Sequence, residues 1–221
     1  MPSFERSDRR SGSLFTTEAR KESPLCSLRF AAAVLVLVGF FAPWVAHKTA
    51  TLTVTGYELS EFAKFFPQVQ GGSVPVRRAL FVAPLLAAAI SLTLTLHRTG
   101  ARPLVRLSLT VVAALLILAV LPPYQSILDP AYRLQLVLVA GGILLTALTP
   151  LTQQLSERVR GMVFLLVTLG GAIPALWQLV VFRPLIAGLY EARILPGWGL
   201  IASVTGFLLL FSASLRDIVT S

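Results

Sequence analysis

Six apolar stretches, each about 17–22 residues long, divide the chain almost evenly at residues 30–46, 79–96, 104–124, 134–151, 162–182 and 198–215. Apart from Arg106, near the start of the third, none contains an Asp, Glu, Lys or Arg. An α-helix rises about 1.5 Å per residue, so a stretch of this length crosses a hydrocarbon layer about 30 Å thick. The expected fold is therefore an all-α membrane protein. It has six transmembrane helices in three hairpins, with a short strand and an amphipathic helix in the first outer loop. Residues 1–29 are expected to be a disordered tail, 30–215 the membrane domain with its outer loop at 47–78, and 216–221 a short second tail.

Of 221 residues, 55% are hydrophobic and 13% charged, which leaves little chain for a soluble domain. The longest polar pieces, 1–29 and 47–78, are too short to build an ordinary independent core. The net charge of +9 does not point to nucleic acid. Its Lys and Arg residues sit in the joints between apolar stretches, where they meet lipid headgroups and orient helices. The single cysteine, Cys26, excludes an internal disulfide and a multi-cysteine metal centre, and reads as a free thiol beside the membrane. A cleaved leader is not expected, because the first apolar run follows a long polar tail and Trp44 would crowd a cut after Ala46.

With the amino terminus in the cytoplasm, twelve of the nineteen basic residues fall on the inner side and seven outside. This asymmetry predicts that both termini are cytoplasmic. Arg77 and Arg78, directly before the second stretch, run against it.

In the outer loop, residues 51–55 alternate Thr with Leu and Val, as a short strand does. Leu59, Phe62 and Phe66 then recur at helical spacing up to Pro67, which predicts a short amphipathic helix resting on the bilayer or on the bundle. Trp44, Tyr124, Tyr190 and Trp198 fall near the predicted outer boundary, where amphipathic rings favour the headgroup level.

Small residues mark where helices can approach, since lipid gives helices no hydrophobic reason to associate. Ala79, Ala83, Ala87 and Ser91 repeat every four residues, and Gly199, Ser203 and Gly206, with Ala202, form a second small face. Both are expected to be helix-contact faces. The fifth stretch contains Gly170-Gly171-Ala172-Ile173-Pro174, which would weaken or kink it, with Trp177 and Gln178 one turn on. Broken helices with freed carbonyls and a polar side chain can form ligand sites. Gly170, Gly171, Pro174, Trp177 and Gln178 are thus the candidate ligand or partner locus, against the plainer reading of a structural kink whose glutamine bonds a neighbouring helix.

No titratable residue lies deep in a stretch, as ion-coupled transport usually requires. His47 and His97 fall at opposite membrane faces and cannot share a metal or haem. No HExxH, GxSxG or P-loop occurs. The loop acids Glu58, Glu61, Asp129 and Glu191 do not space like a catalytic pair. Neither catalytic residues nor a cofactor or metal is expected.

Phe41-Ala42-Pro43-Trp44, Gly56-Tyr57-Glu58-Leu59 and Pro196-Gly197-Trp198-Gly199 resemble patterns in small, largely uncharacterised bacterial polytopic membrane proteins of four to six helices. The resemblance covers about a fifth of the chain. It implies a bacterial inner-membrane setting and supplies no activity. The functional expectation is a non-enzymatic scaffold, sensor or accessory subunit of a membrane complex, meeting the bilayer and either a membrane-protein partner or a second copy. The alternative is a membrane subunit or carrier for a small neutral or apolar solute.

Overall fold

The computed structural model describes residues 24–46, 53–99, 102–191 and 194–220. Among the described residues, five helical segments are long and apolar enough to cross a membrane: Pro24–Phe41, Arg78–Arg98, Pro130–Gln154, Glu157–Tyr190 and Trp198–Thr220. They are compatible with a membrane protein. The third expected span is shorter than the sequence suggested. Its helix, α5 (Pro103–Leu118), has 16 residues, and the chain then meets Pro122 and Pro123, which lack the amide donors a helix needs.

The first span is displaced. Helix α1 covers Pro24–Phe41, not residues 30–46, and Pro43–Ala46 forms strand β1. Proline disfavours helical geometry at the residue before it, so the helix stops ahead of Pro43. Strand β1 pairs antiparallel with β2 (Thr53–Thr55) on one side and β3 (Leu195–Pro196) on the other, giving the order β2-β1-β3. The expected ribbon at 51–55 is a strand from Thr53 onward; its first two residues lie outside the described chain. The Trp44 ring does not face outward, as a headgroup anchor would. It is fully buried, and its Nε1 donates at 2.9 Å to the Gly39 carbonyl oxygen near the end of α1, which also accepts from the Ala42 amide at 3.2 Å.

Helix α2 (Gly56–Phe62) starts on a capping box: the Thr55 hydroxyl accepts from the Glu58 amide, and the Glu58 carboxylate accepts from the Thr55 amide at 2.8 Å. A 3-10 turn, Ala63–Phe65, and the one-turn helix α3 (Pro67–Gln70) follow. The aromatic residues of this loop rest on the bundle. Phe62 and Phe66 meet the Phe182 ring edge-on, at 6.4 and 4.9 Å between centroids, while Phe65 is 76% exposed.

Helix α4 (Ala83–Arg98) is the axis of the bundle, and every residue from 83 to 96 is buried. It packs against α1, α5, α6 (Arg133–Leu148) and α7 (Glu157–Tyr190), while α8 (Trp198–Thr220) packs against α1 and α7. Small residues make the α1–α8 contact. A Cβ on Gly206 would lie 2.7 Å from the Val36 Cγ2 and 2.8 Å from the Ala32 carbonyl oxygen, while one on Gly39 would lie 2.5 Å from the Ser203 hydroxyl and 2.6 Å from the Gly199 carbonyl. These distances require backbones in near contact, as small residues permit.

Candidate functional site

Helices α6 and α7 lean on α4 from two sides and leave between them a laterally open groove of about 490 Å³. Its floor is Ala83, Leu86, Ala87 and Ile90 of α4. Val137, Gly141 and Leu145, one helical turn apart, form the α6 wall, and Val163, Leu166 and Gly170 belong to the α7 wall. All the lining residues are Ala, Val, Leu, Ile or Gly. Such a surface offers dispersion and apolar contact, with no side-chain hydrogen bond.

The groove exists because adjacent glycines do different things. A Cβ on Gly171 would overlap the Ala87 Cβ, so Gly171 is what lets α7 reach α4. Gly170 and Gly141 have no atom within 4 Å of where a Cβ would stand, so each leaves bare helix backbone facing open space. The 3-10 segment Arg78–Val82 bounds one end, touching both α6 and α7. The 3-10 segment Thr149–Gln154 packs on α4 at the other end, where Gln153 Nε2 lies 3.1 Å from His97 Nδ1.

No family model, curated protein or solved structure matches the chain.

The expected locus on the fifth stretch is divided by the structure. Helix α7 continues through Pro174 and Pro184 as one element of 34 residues, so the segment 170–174, expected to weaken or kink the fifth stretch, does not end its helix. Gly170 and Gly171 line the groove, and Pro174 is half-buried on the same helix. Trp177 faces outward, 63% exposed. Gln178 is buried, and its Oε1 accepts from the Arg77 backbone amide at 2.7 Å. That bond satisfies a donor in the turn before α4 and sets Gln178 level with Arg77, near the end of the groove. On the predicted alanine face, Ala83 and Ala87 belong to the groove floor, Ala79 is buried one turn before Ala83, and Ser91 is buried one turn past Ala87.

Two polar assemblies frame the bundle. At the end carrying the described termini, Arg29 of α1 is fully buried, with Nη2 donating to Asp217 of α8 at 2.5 Å and to the Ala213 carbonyl at 2.8 Å. Arg98 of α4 also pairs with Asp217, and with Glu157 of α7, which in turn pairs with Arg160 at 3.1 Å. The Phe164 ring lies 4.8 Å from the Arg29 guanidinium carbon, and Arg29 Nε and Nη1 have no hydrogen-bond partner among the described residues. This buried network lies near the ends of α1 and α8, outside the apolar stretches in which no deep titratable residue was expected. Arg29 and Asp217 sit at the margins of apolar stretches, so a count confined to those stretches passes over both. The apolar Leu25, Cys26 and Leu28 were the available sign that α1 begins earlier.

At the opposite end, Lys64 Nζ donates to the Tyr132 hydroxyl at 2.7 Å and to Glu61. The Arg78 guanidinium stacks 3.9 Å from the Tyr132 ring centroid. Burial alone would lower the Lys64 pKa, but the hydrogen bonds to Glu61 and Tyr132 outweigh it and hold the ammonium above its ordinary range.

The loop acids serve the backbone. Glu58 completes the α2 capping box, Asp129 accepts from the Ala131 amide at 2.8 Å, and Glu191 ends α7 in a left-handed conformation with φ 49°. Among the described residues, no three His, Cys, Asp or Glu side chains cluster as a metal site would need, and His47 lies outside them.

Proposed function

We propose that this chain is a non-enzymatic, multi-pass integral membrane protein of six spans in three hairpins, whose α4–α6–α7 groove holds an apolar molecule drawn from the bilayer. The carrying observation is the groove itself, about 490 Å³ with a wholly apolar lining and glycine backbone bare at Gly141 and Gly170. Pockets for small ligands run about 300–1,000 Å³, so a groove of about 490 Å³ has the size to take part of an acyl chain. The short third span fits a bilayer that thins locally around α5. The basic residues support termini on the cytoplasmic side, and the resemblance noted above favours a bacterial inner membrane.

A second reading, an accessory subunit that seats a partner's transmembrane helix, is favoured by the same bare glycines, since small residues let backbones approach closely. Photolabelling separates the two. The protein, reconstituted in vesicles containing a diazirine-bearing acyl probe, is expected to label on Val137, Gly141 and Leu166 in preference to Leu107 or Leu208 on other exposed faces. Even labelling of all exposed apolar residues refutes the groove as a binding site. A co-purifying membrane protein whose cross-links map to the same residues replaces the first reading with the second.

A further inference from the structure

The groove has a cationic rim at the end bounded by Arg78–Val82. Arg133 stands one helical turn before Val137, on the stripe that continues through Gly141 and Leu145, so it projects from the same face of α6 directly beyond the apolar wall. Arg77 and Arg78 lead into the 3-10 segment that bounds the groove, five to six residues before Ala83 of its floor. Gln178 fixes this level on α7 through the Arg77 amide, two turns beyond Gly171. Apolar channel and basic rim therefore follow one another along the bundle axis.

The charges at this rim are not balanced. Lys64 is spent on Glu61 and Tyr132, and Arg78 lies against the Tyr132 ring. Neither Arg77 nor Arg133 has an ion-pair partner among the described residues, and both are exposed. The nearest carboxylates in sequence are Glu61, bound to Lys64, and Asp129, which accepts from the Ala131 amide. Arg77, Arg78 and Arg133 also belong to the minority of basic residues on the outer side, against the basic-residue asymmetry. Cations kept on the disfavoured side, beside an apolar groove, suit an anionic ligand that lies there.

We infer that the groove and its rim together bind one anionic phospholipid of the loop-side leaflet, with an acyl chain between α6 and α7 and the phosphate on Arg77 and Arg133. This rests on the groove being a binding site, as proposed above, and names the chemistry of its occupant. The apolar lining explains retention of the chain, and the guanidinium forks suit phosphate oxygens geometrically.

The test is native mass spectrometry of the full chain released from vesicles of equal phosphatidylglycerol and phosphatidylcholine with identical acyl chains. Wild type is expected to retain phosphatidylglycerol roughly tenfold or more over phosphatidylcholine, the order implied by two basic residues at a membrane surface. Arg77→Gln/Arg133→Gln should abolish that preference while still retaining lipid. Gly141→Leu/Gly170→Leu, whose side chains enter open space, should lose retention of both lipids with thermal stability kept. Equal retention of the two lipids by wild type overturns the phosphate assignment alone. Unchanged retention in the glycine double variant overturns the groove reading as well. Retention of a second copy or another protein in place of lipid overturns both.

Discussion

Alanine substituted at Gly170 and at Gly171 should act in opposite directions, though the two residues are neighbours in one helix. In a helix interior, alanine is favoured over glycine by about 1 kcal/mol, and this gain applies at both positions. At Gly170 nothing stands within 4 Å of the new Cβ, so the gain is undiminished and Gly170→Ala should stabilise the fold by up to about 1 kcal/mol. At Gly171 the new Cβ overlaps the Ala87 Cβ, with the Ala83 carbonyl oxygen and a Phe207 ring atom each 3.3 Å away. An alanine Cβ cannot rotate aside, so α7 must move off α4. Overpacking of this kind costs typically 1–3 kcal/mol, and the upper end applies where neither partner can yield. After the propensity gain is subtracted, Gly171→Ala should destabilise by about 2 kcal/mol, which puts the pair about 3 kcal/mol apart. That gap corresponds to more than a hundredfold in the folding equilibrium constant at about 1.4 kcal/mol per decade. Reversible unfolding in mixed micelles of mild detergent and dodecyl sulfate, followed by far-UV circular dichroism, measures it. Equal effects of the two substitutions, or a larger loss from Gly170→Ala, would refute the claim that one glycine packs a helix crossing while the other faces an unfilled groove.

The buried ion network gives a second expectation: Asp217→Asn should destabilise by about 3–5 kcal/mol because it strands the Arg29 charge, whereas Arg29→Met/Asp217→Leu should cost far less, by the same unfolding assay. Gly206→Leu should disrupt the α1–α8 contact, visible as loss of an engineered cross-link between those helices, since even a Cβ there lies 2.7 Å from Val36. Gln178→Leu should leave the Arg77 amide without its acceptor and cost about 1–3 kcal/mol in thermal stability, with lipid retention little changed; loss of retention at normal stability would show that Gln178 contacts the ligand. For topology, single cysteines at Ser73, Gly100, Asp129, Ser156 and Ala192 in a Cys26→Ser background should react with an impermeant thiol reagent in intact cells only at Ser73, Asp129 and Ala192. Labelling at Gly100 and Ser156 without Ser73 would invert the orientation.

The sequence by itself determined the class of the molecule. Hydrophobic length is a local property, so apolar runs near 20 residues announce membrane-crossing helices whatever they later touch. The capping box at Thr55 and Glu58 and the β-branched alternation before it are equally local, and both are present in the structure as a helix start and a strand. The end of α1 was misplaced because the hydrophobic run passes through Pro43 and Trp44. There a sheet assembled from β1, the nearby β2 and the distant β3 competes with the helix, and Pro43 tips the outcome.

Only the tertiary structure decided what the glycines and charges mean. Gly170 and Gly171 are indistinguishable in sequence, and their roles differ because α4 lies on one side of α7 and open space on the other. Gln178 appears from its spacing to be deep in a span, yet it is level with Arg77 because α7 extends to Tyr190 and carries the outer loop on Phe182. Arg29 and Asp217, separated by most of the chain, acquire their partnership only when α1 and α8 pack together. Contacts between residues far apart in sequence depend on which helix faces meet, and periodicity within one helix does not contain that choice.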